Sequence, residues 1–150
     1  MATTTGTINI YDSFIRDKSN GTMDLDGDTF IMGLSTSTYV PNQGTHEDLA
    51  DITNEVSGNG YARQTLTSVT FTEPVAGTWQ FDSANPVFTA SGGSIVARFW
   101  WVFDDTPASP LDPLCFYGLL DQTPADVTTT DGNTLTVTVH ASGYYREAAA

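Results

Sequence analysis

The sequence predicts a mainly β, single-domain protein, a β-sandwich or barrel-like fold with one or two short helices. Three observations predict it. Threonine-rich runs such as "TTTGT", "TSVTFT" and "TLTVTV" suit strands, because β-branched side chains fit a pleated surface. Short apolar alternations recur between strong turn signals, as in sandwiches. The 150 residues are 39% apolar and 11% aromatic, enough for one packed core and too apolar for a disordered acidic chain. Residues 1–150 therefore read as one domain, with a short N-terminal arm over 1–9.

The elements follow in order. In "YDSFIRDK", Tyr11, Phe14, Ile15 and Lys18 fall at helical spacing, and Asn20-Gly21 is a helix stop. Asp26-Gly27 marks a turn before a strand in which Phe30, Met32 and Leu34 alternate inward. Thr45 is the expected N-cap of one or two helical turns in "HEDLADI", with Leu49 and Ile52 facing inward, and "SGNGY" ends them. Strands are then expected in "QTLTSVTFT", "GTWQFD" and "NPVFTA". The strongest is "SIVARFWWVFDD", with Ile95, Ala97, Phe99, Trp101 and Phe103 on one face and Val96, Arg98, Trp100 and Val102 on the other. A run apolar on both faces belongs in a sheet centre or under a partner. After the proline-rich loop "TPASPLDP", "LCFYGLLD" reads as a buried strand, and "TLTVTVHASG" closes the domain with Leu135, Val137, Val139 and Ala141 inward. The total is seven or eight strands and two short helices.

Charge narrows the function. Eighteen acidic residues against five basic ones give a net −13. Such a surface repels nucleic acid and anionic membranes, so neither is an expected partner. No stretch approaches the ~20 apolar residues that span a bilayer, and the N-terminus lacks the basic and apolar regions of a signal peptide. Cys115 is the single cysteine, which rules out an internal disulfide, and it sits in an apolar run as a core residue would.

Each candidate site also has a purely structural explanation. As a helix, Thr45 to Leu66 would align Glu47, Asp51 and Glu55 on one face beside His46 and Asp48. No metal-ligand spacing such as HExxH is present, and like charges at i, i+4 normally mark a solvated face. The stretch "DLDGD" at Asp24–Asp28 departs from the EF-hand pattern: Gly27 is fourth, and Ser35 stands at the twelfth position, where glutamate is required. It reads as a polar turn. No GxSxG or P-loop occurs, and no carboxylate pair stands out for glycosidase chemistry. No catalytic, cofactor or metal residue is assigned. Trp79, Trp100 and Trp101 remain, as a sugar-stacking platform or as core and subunit interface. Trp100 shares a face with Arg98, and interfaces are enriched in Trp, Tyr and Arg, so that face is expected to meet another polypeptide.

Long motifs add a resemblance. "DLDGDTF", then "YVPN" and "TH", then "DITNEVSGNGY" and the C-terminal "LTVTVHASGYY" resemble a family of small virion proteins encoded by tailed bacteriophages. The resemblance covers most of the chain. It departs at Arg63-Gln64, where many members carry paired glycines, and at the inserted "TPASPLDP" loop. It implies a structural role without catalysis. "DITNEVSGNGY" would be scaffold, with Thr53 and Asn54 bonded to backbone, Glu55 in a polar network, and Gly58 and Gly60 permitting a sharp turn. The expected protein is a capsid decoration (cement) protein on the outer shell, a homo-oligomer, expected as a trimer, bound to the major capsid protein. A tail or head–tail connector component and a virion carbohydrate-binding module are the alternatives. Expected contacts are Thr3, Thr4 and Thr5 of the arm, together with Arg98 and Trp100.

Overall fold

The computed structural model describes residues 2–4 and 6–149. Strands β1 (Ala2–Thr4) and β2 (Asn9–Ile10) precede helix α1 (Asp12–Ser19), which leads to β3 (Phe30–Ser35). After a 3-10 turn at Leu49–Asp51 come β4 (Gln64–Thr65), β5 (Thr70–Val75), β6 (Thr78–Asp82), β7 (Val87–Thr89) and β8 (Ile95–Ala97). The chain continues through β9 (Phe99–Asp104), β10 (Leu114–Leu119), β11 (Val127–Thr129), β12 (Thr134–Thr138) and β13 (Tyr145–Ala148). The protein is mainly β, as its composition predicts, and the strands form four open sheets with no closed barrel among the described residues. The central sheet has the order β2-β10-β9-β3-β4; the others are β1-β12-β7, β11-β8 and β13-β6-β5.

The central sheet is apolar on both faces. One face buries Phe30, Met32, Leu34, Trp100, Val102 and Phe116 against Phe81, Phe88, Leu135 and Val137 of the other sheets and Phe14 of α1. The opposite face carries Trp101, Phe103 and Leu114 beneath Tyr11 and Tyr39. The adjacent tryptophans thus serve two different cores, as strand alternation requires. Each indole lies across a glycine of the neighbouring strand. Gly33 is opposite Trp101 and Gly118 is opposite Trp100. A Cβ on Gly118 would meet the Trp100 ring at 2.7 Å, and one on Gly33 would fall inside the Trp101 ring. Trp101 is further fixed by its Nε1–H, which donates to Ser35 Oγ at 3.0 Å.

Several elements differ from the sequence expectations, each for a local reason. The long strand over 94–105 divides at Arg98, whose N–H donates to Ser35 O while its carbonyl accepts from Leu120 N. These bonds hold the chain where it leaves the β8–β11 pair for the central sheet. The break resets the alternation, so Ile95 and Ala97 share a core with Trp100 and Val102 rather than with Phe99 and Trp101. The expected N-cap at Thr45 is replaced by Asp48, whose carboxylate accepts from Ala50 N at 2.8 Å while Asp51 caps back onto Asp48 and Glu47. A single 3-10 turn results, so Glu47, Asp51 and Glu55 form no helical stripe. The last strand is β13, paired with β6, beyond the expected closing strand β12. Three residues of the expected arm become a strand as well: β1 runs parallel to β12, with Ala2 opposite Thr136, Thr3 opposite Val137 and Thr4 opposite Thr138.

Candidate functional site

The second face of the central sheet is roofed only in part. Between Ser35 and Glu55, bridged to each other, the chain makes an excursion that lays Tyr39, Leu49 and Ile52 over Trp101 and Phe103. The excursion is held by a polar strut: Tyr11 and Tyr39 share a hydroxyl bond of 2.9 Å, and Tyr39 Oη meets His46 Nδ1 at 3.0 Å. Burial raises both phenols above their usual range, so they remain protonated at neutral pH and act as struts rather than acid–base groups. At the far end of β9 and β10 the cover stops. Phe99, Tyr117 and Leu119 are half-buried there, Phe99 against Tyr39 and Tyr117 against Tyr11, with ring centroids 5.7 Å and 4.7 Å apart.

These side chains floor a groove of about 330 Å³, rimmed by Asn9, Arg98 and Pro124. Its position follows from the sequence. Phe99 and Leu119 are cross-strand partners, as are Trp101 and Tyr117, so one apolar row runs from the buried core into the open. Arg98 is at the rim because the chain kinks there. Its Nε–H donates to Asp126 Oδ1 at 2.8 Å, and its side chain is 30% exposed. The groove therefore combines an aromatic floor with one guanidinium, a composition typical of protein contacts.

The expected contact residues divide accordingly. Arg98 lines the groove, but Trp100 does not: its ring is fully buried on the other side of the sheet. The strand and the arginine were legible in the sequence, and the face was not. Thr3 is half-buried, and its hydroxyl bonds to the Leu120 carbonyl. Thr4 is described in its backbone only, and Thr5 lies outside the described residues. Trp101 is also fully buried, which removes it as a stacking platform; Trp79 is 43% exposed, its ring centroid 5.3 Å from Phe71.

The acidic clusters are occupied by structural bonds. Glu55 accepts from Tyr61 Oη and from two nitrogens of Arg63, each at 2.8 Å, and Arg63 lies over the rings of Trp101 and Phe103. The Tyr61 hydroxyl also accepts from Leu34 N. Gly58 and Gly60 take positive φ in the intervening turn. The Thr53 and Asn54 bonds are made by their backbone carbonyls, to Ser35 Oγ and Thr36 N. In the Asp24–Asp28 turn, Asp24 accepts from Asp26 N and Asp28 accepts from Asp24 N. Among the described residues no group of three or more His, Cys, Asp or Glu side chains is placed to hold a metal ion, and no helix is long and apolar enough to cross a membrane. Cys115 is buried, and burial raises its thiol well above the usual range, the setting of an inert core cysteine.

Comparison with protein-family models, curated proteins and solved structures gives no match in any of the three.

Proposed function

We propose that the chain is a non-enzymatic structural protein of a tailed-bacteriophage virion, a capsid decoration (cement) protein that binds the outer shell and stabilises it. The observation that carries the reading is the half-roofed central sheet. A row of aromatic side chains leaves the core and ends in an open groove with an arginine at its rim, which suits a polypeptide better than a small substrate. The motif resemblance supports the virion setting, and a net charge of −13 suits a shell exterior away from packaged DNA. The partners are then the major capsid protein and further copies of this chain, and repeated weak contacts across subunit junctions would stiffen the shell through multivalency.

Gold-labelled antibody against the chain, applied to purified phage particles, tests the reading. Dense label over the head is the expected result. Label confined to the tail would replace it with a tail or head–tail connector role, and unlabelled particles would end the virion reading. The N-terminal segment is the proposed shell contact. Deleting residues 2–7 is expected to abolish binding to the shell while leaving cooperative unfolding in place, since β1 is only an edge strand. Full binding by the truncated protein would remove the segment from the contact.

One observation favours a second reading, a carbohydrate-binding module. Trp79 is exposed beside Phe71, and Phe71 lines a cleft of about 350 Å³ with Asp24 and Asp26, an aromatic surface next to hydroxyl acceptors. On that reading Trp79→Ala abolishes binding to a glycan array; an array that wild-type protein leaves blank would dispose of it.

A further inference from the structure

The β9–β10 hairpin carries an opening at one end and a projection at the other. Its base, where β9 begins and β10 ends, holds the groove of Phe99, Tyr117 and Leu119 with Arg98 at the rim. Its tip is the loop of residues 105–113, where Leu111 is 66% exposed. The loop has a fixed shape. Ala108 and Leu111 are bridged, Asp112 O accepts from Leu49 N, and Pro113 O accepts from Asp104 N. Leu111 is therefore a pre-ordered apolar knob, which reduces the entropy lost on docking. Asp112 follows it directly, and Asp105 stands at the start of the loop. With β9 and β10 six residues long, knob and groove are roughly 20 Å apart at ~3.3 Å per residue, too far to meet within one chain along a shared hairpin.

We propose that copies of this chain associate head to tail, the Leu111 knob of one seated in the Arg98–Phe99–Tyr117 groove of the next. Three features favour a second copy as the occupant. The knob is apolar and the groove floor is apolar. The knob brings carboxylates, and the groove supplies Arg98, whose Nε–H is held by Asp126 and whose two terminal nitrogens make no hydrogen bond among the described residues. The two surfaces lie at opposite ends of one rigid element, so copies stacked in the same sense meet through a heterologous contact. Such contacts close into a ring when the rotation permits and otherwise extend as a filament. The proposal rests on the groove being a protein contact, and it can fail independently of the virion reading, which gold labelling addresses.

Sedimentation equilibrium on the full chain tests it, with Leu111→Ser and Arg98→Glu as the variants. Both positions lie outside the cores, and the circular dichroism and unfolding midpoint of each variant verify its fold. Wild type is expected at an integral multiple of the 16.1 kDa chain mass, and each variant at the single-chain mass. The deciding arm mixes the two variants. Leu111→Ser keeps a working groove and Arg98→Glu a working knob, so the mixture should form a heterodimer of twice the chain mass and stop there. Wild type that sediments as a single chain at its highest soluble concentration overturns the proposal. So do variants that keep the wild-type mass, and variants that are monomeric alone but fail to pair when mixed.

Discussion

Gly33→Ala is expected to destabilise the protein by about 3 kcal/mol, near the upper end of what overpacking a core produces. The added methyl would occupy the space of the Trp101 ring. That ring is fully buried, packs near Phe103 with centroids 6.1 Å apart, and is held through Nε1 to Ser35. It has no exposed direction in which to move. The alternative, a shift of β3 relative to β9, would disturb the register of six paired residues. Guanidinium denaturation of wild type and variant gives the difference directly. A double-mutant cycle then assigns its origin: Trp101→Leu alone destabilises by leaving a cavity, and the methyl at position 33 should be far less harmful in that background. If the two effects simply add, the clash is not the cause.

Asp104→Asn is expected to remove most of the pH dependence of stability between pH 5 and 8. Asp104 is fully buried at the end of β9. One oxygen accepts from Thr106 N at 3.0 Å, and Oδ2 has no donor among the described residues. Burial, with the Asp28 carboxyl adding to it, raises Asp104 from 3.8 to about 7, against the Thr106 N–H that lowers it. Two carboxyls side by side share a proton readily, and that proton is the donor Oδ2 otherwise lacks. The sign follows from linkage. The folded protein holds a proton that the unfolded chain releases near pH 4, so the stabilisation is complete below pH 4 and is lost as pH rises through 7. For a shift of this size the full change is on the order of 4 kcal/mol, of which about 3 kcal/mol falls between pH 5 and 8. Asparagine keeps the acceptor for Thr106 and supplies a permanent N–H donor. The variant should therefore overtake wild type at pH 8, and their unfolding midpoints should converge towards pH 5. Glu147, lowered by its bond to Lys18, and Asp121, lowered by Thr123, act in the opposite direction and below this window. Parallel pH profiles for the two proteins would exclude Asp104 as the titrating group.

The fold class was legible because strand alternation is a local signal: Phe30, Met32, Leu34, Leu135 and Val137 are buried as their spacing requires. The helix at Asp12–Ser19 was legible for the same reason, with Asn20 at its end. What the sequence left hidden is non-local. Arg98 sits in an unbroken apolar run, and only its bonds to Ser35 and Leu120 show that the strand changes sheets there. That one break parts Arg98 from Trp100, whose face is covered by the other sheets. Gly33 and Gly118 carry no mark in the sequence either, because their partners are on neighbouring strands. The groove was half legible. Apolarity on both faces implied a cover, but where the cover ends depends on the reach of the 36–54 excursion, which no periodicity encodes.

The pairing of β1 with β12 bears on how the protein is made. Ala2 meets Thr136, so β1 leaves the ribosome long before the strand that pairs with it. β13, which completes the β6–β5 sheet, is later still. Closing so long a loop is slow, because its entropy is lost before the contacts repay it. The β1–β12 pairing can therefore form only after β12 has been made.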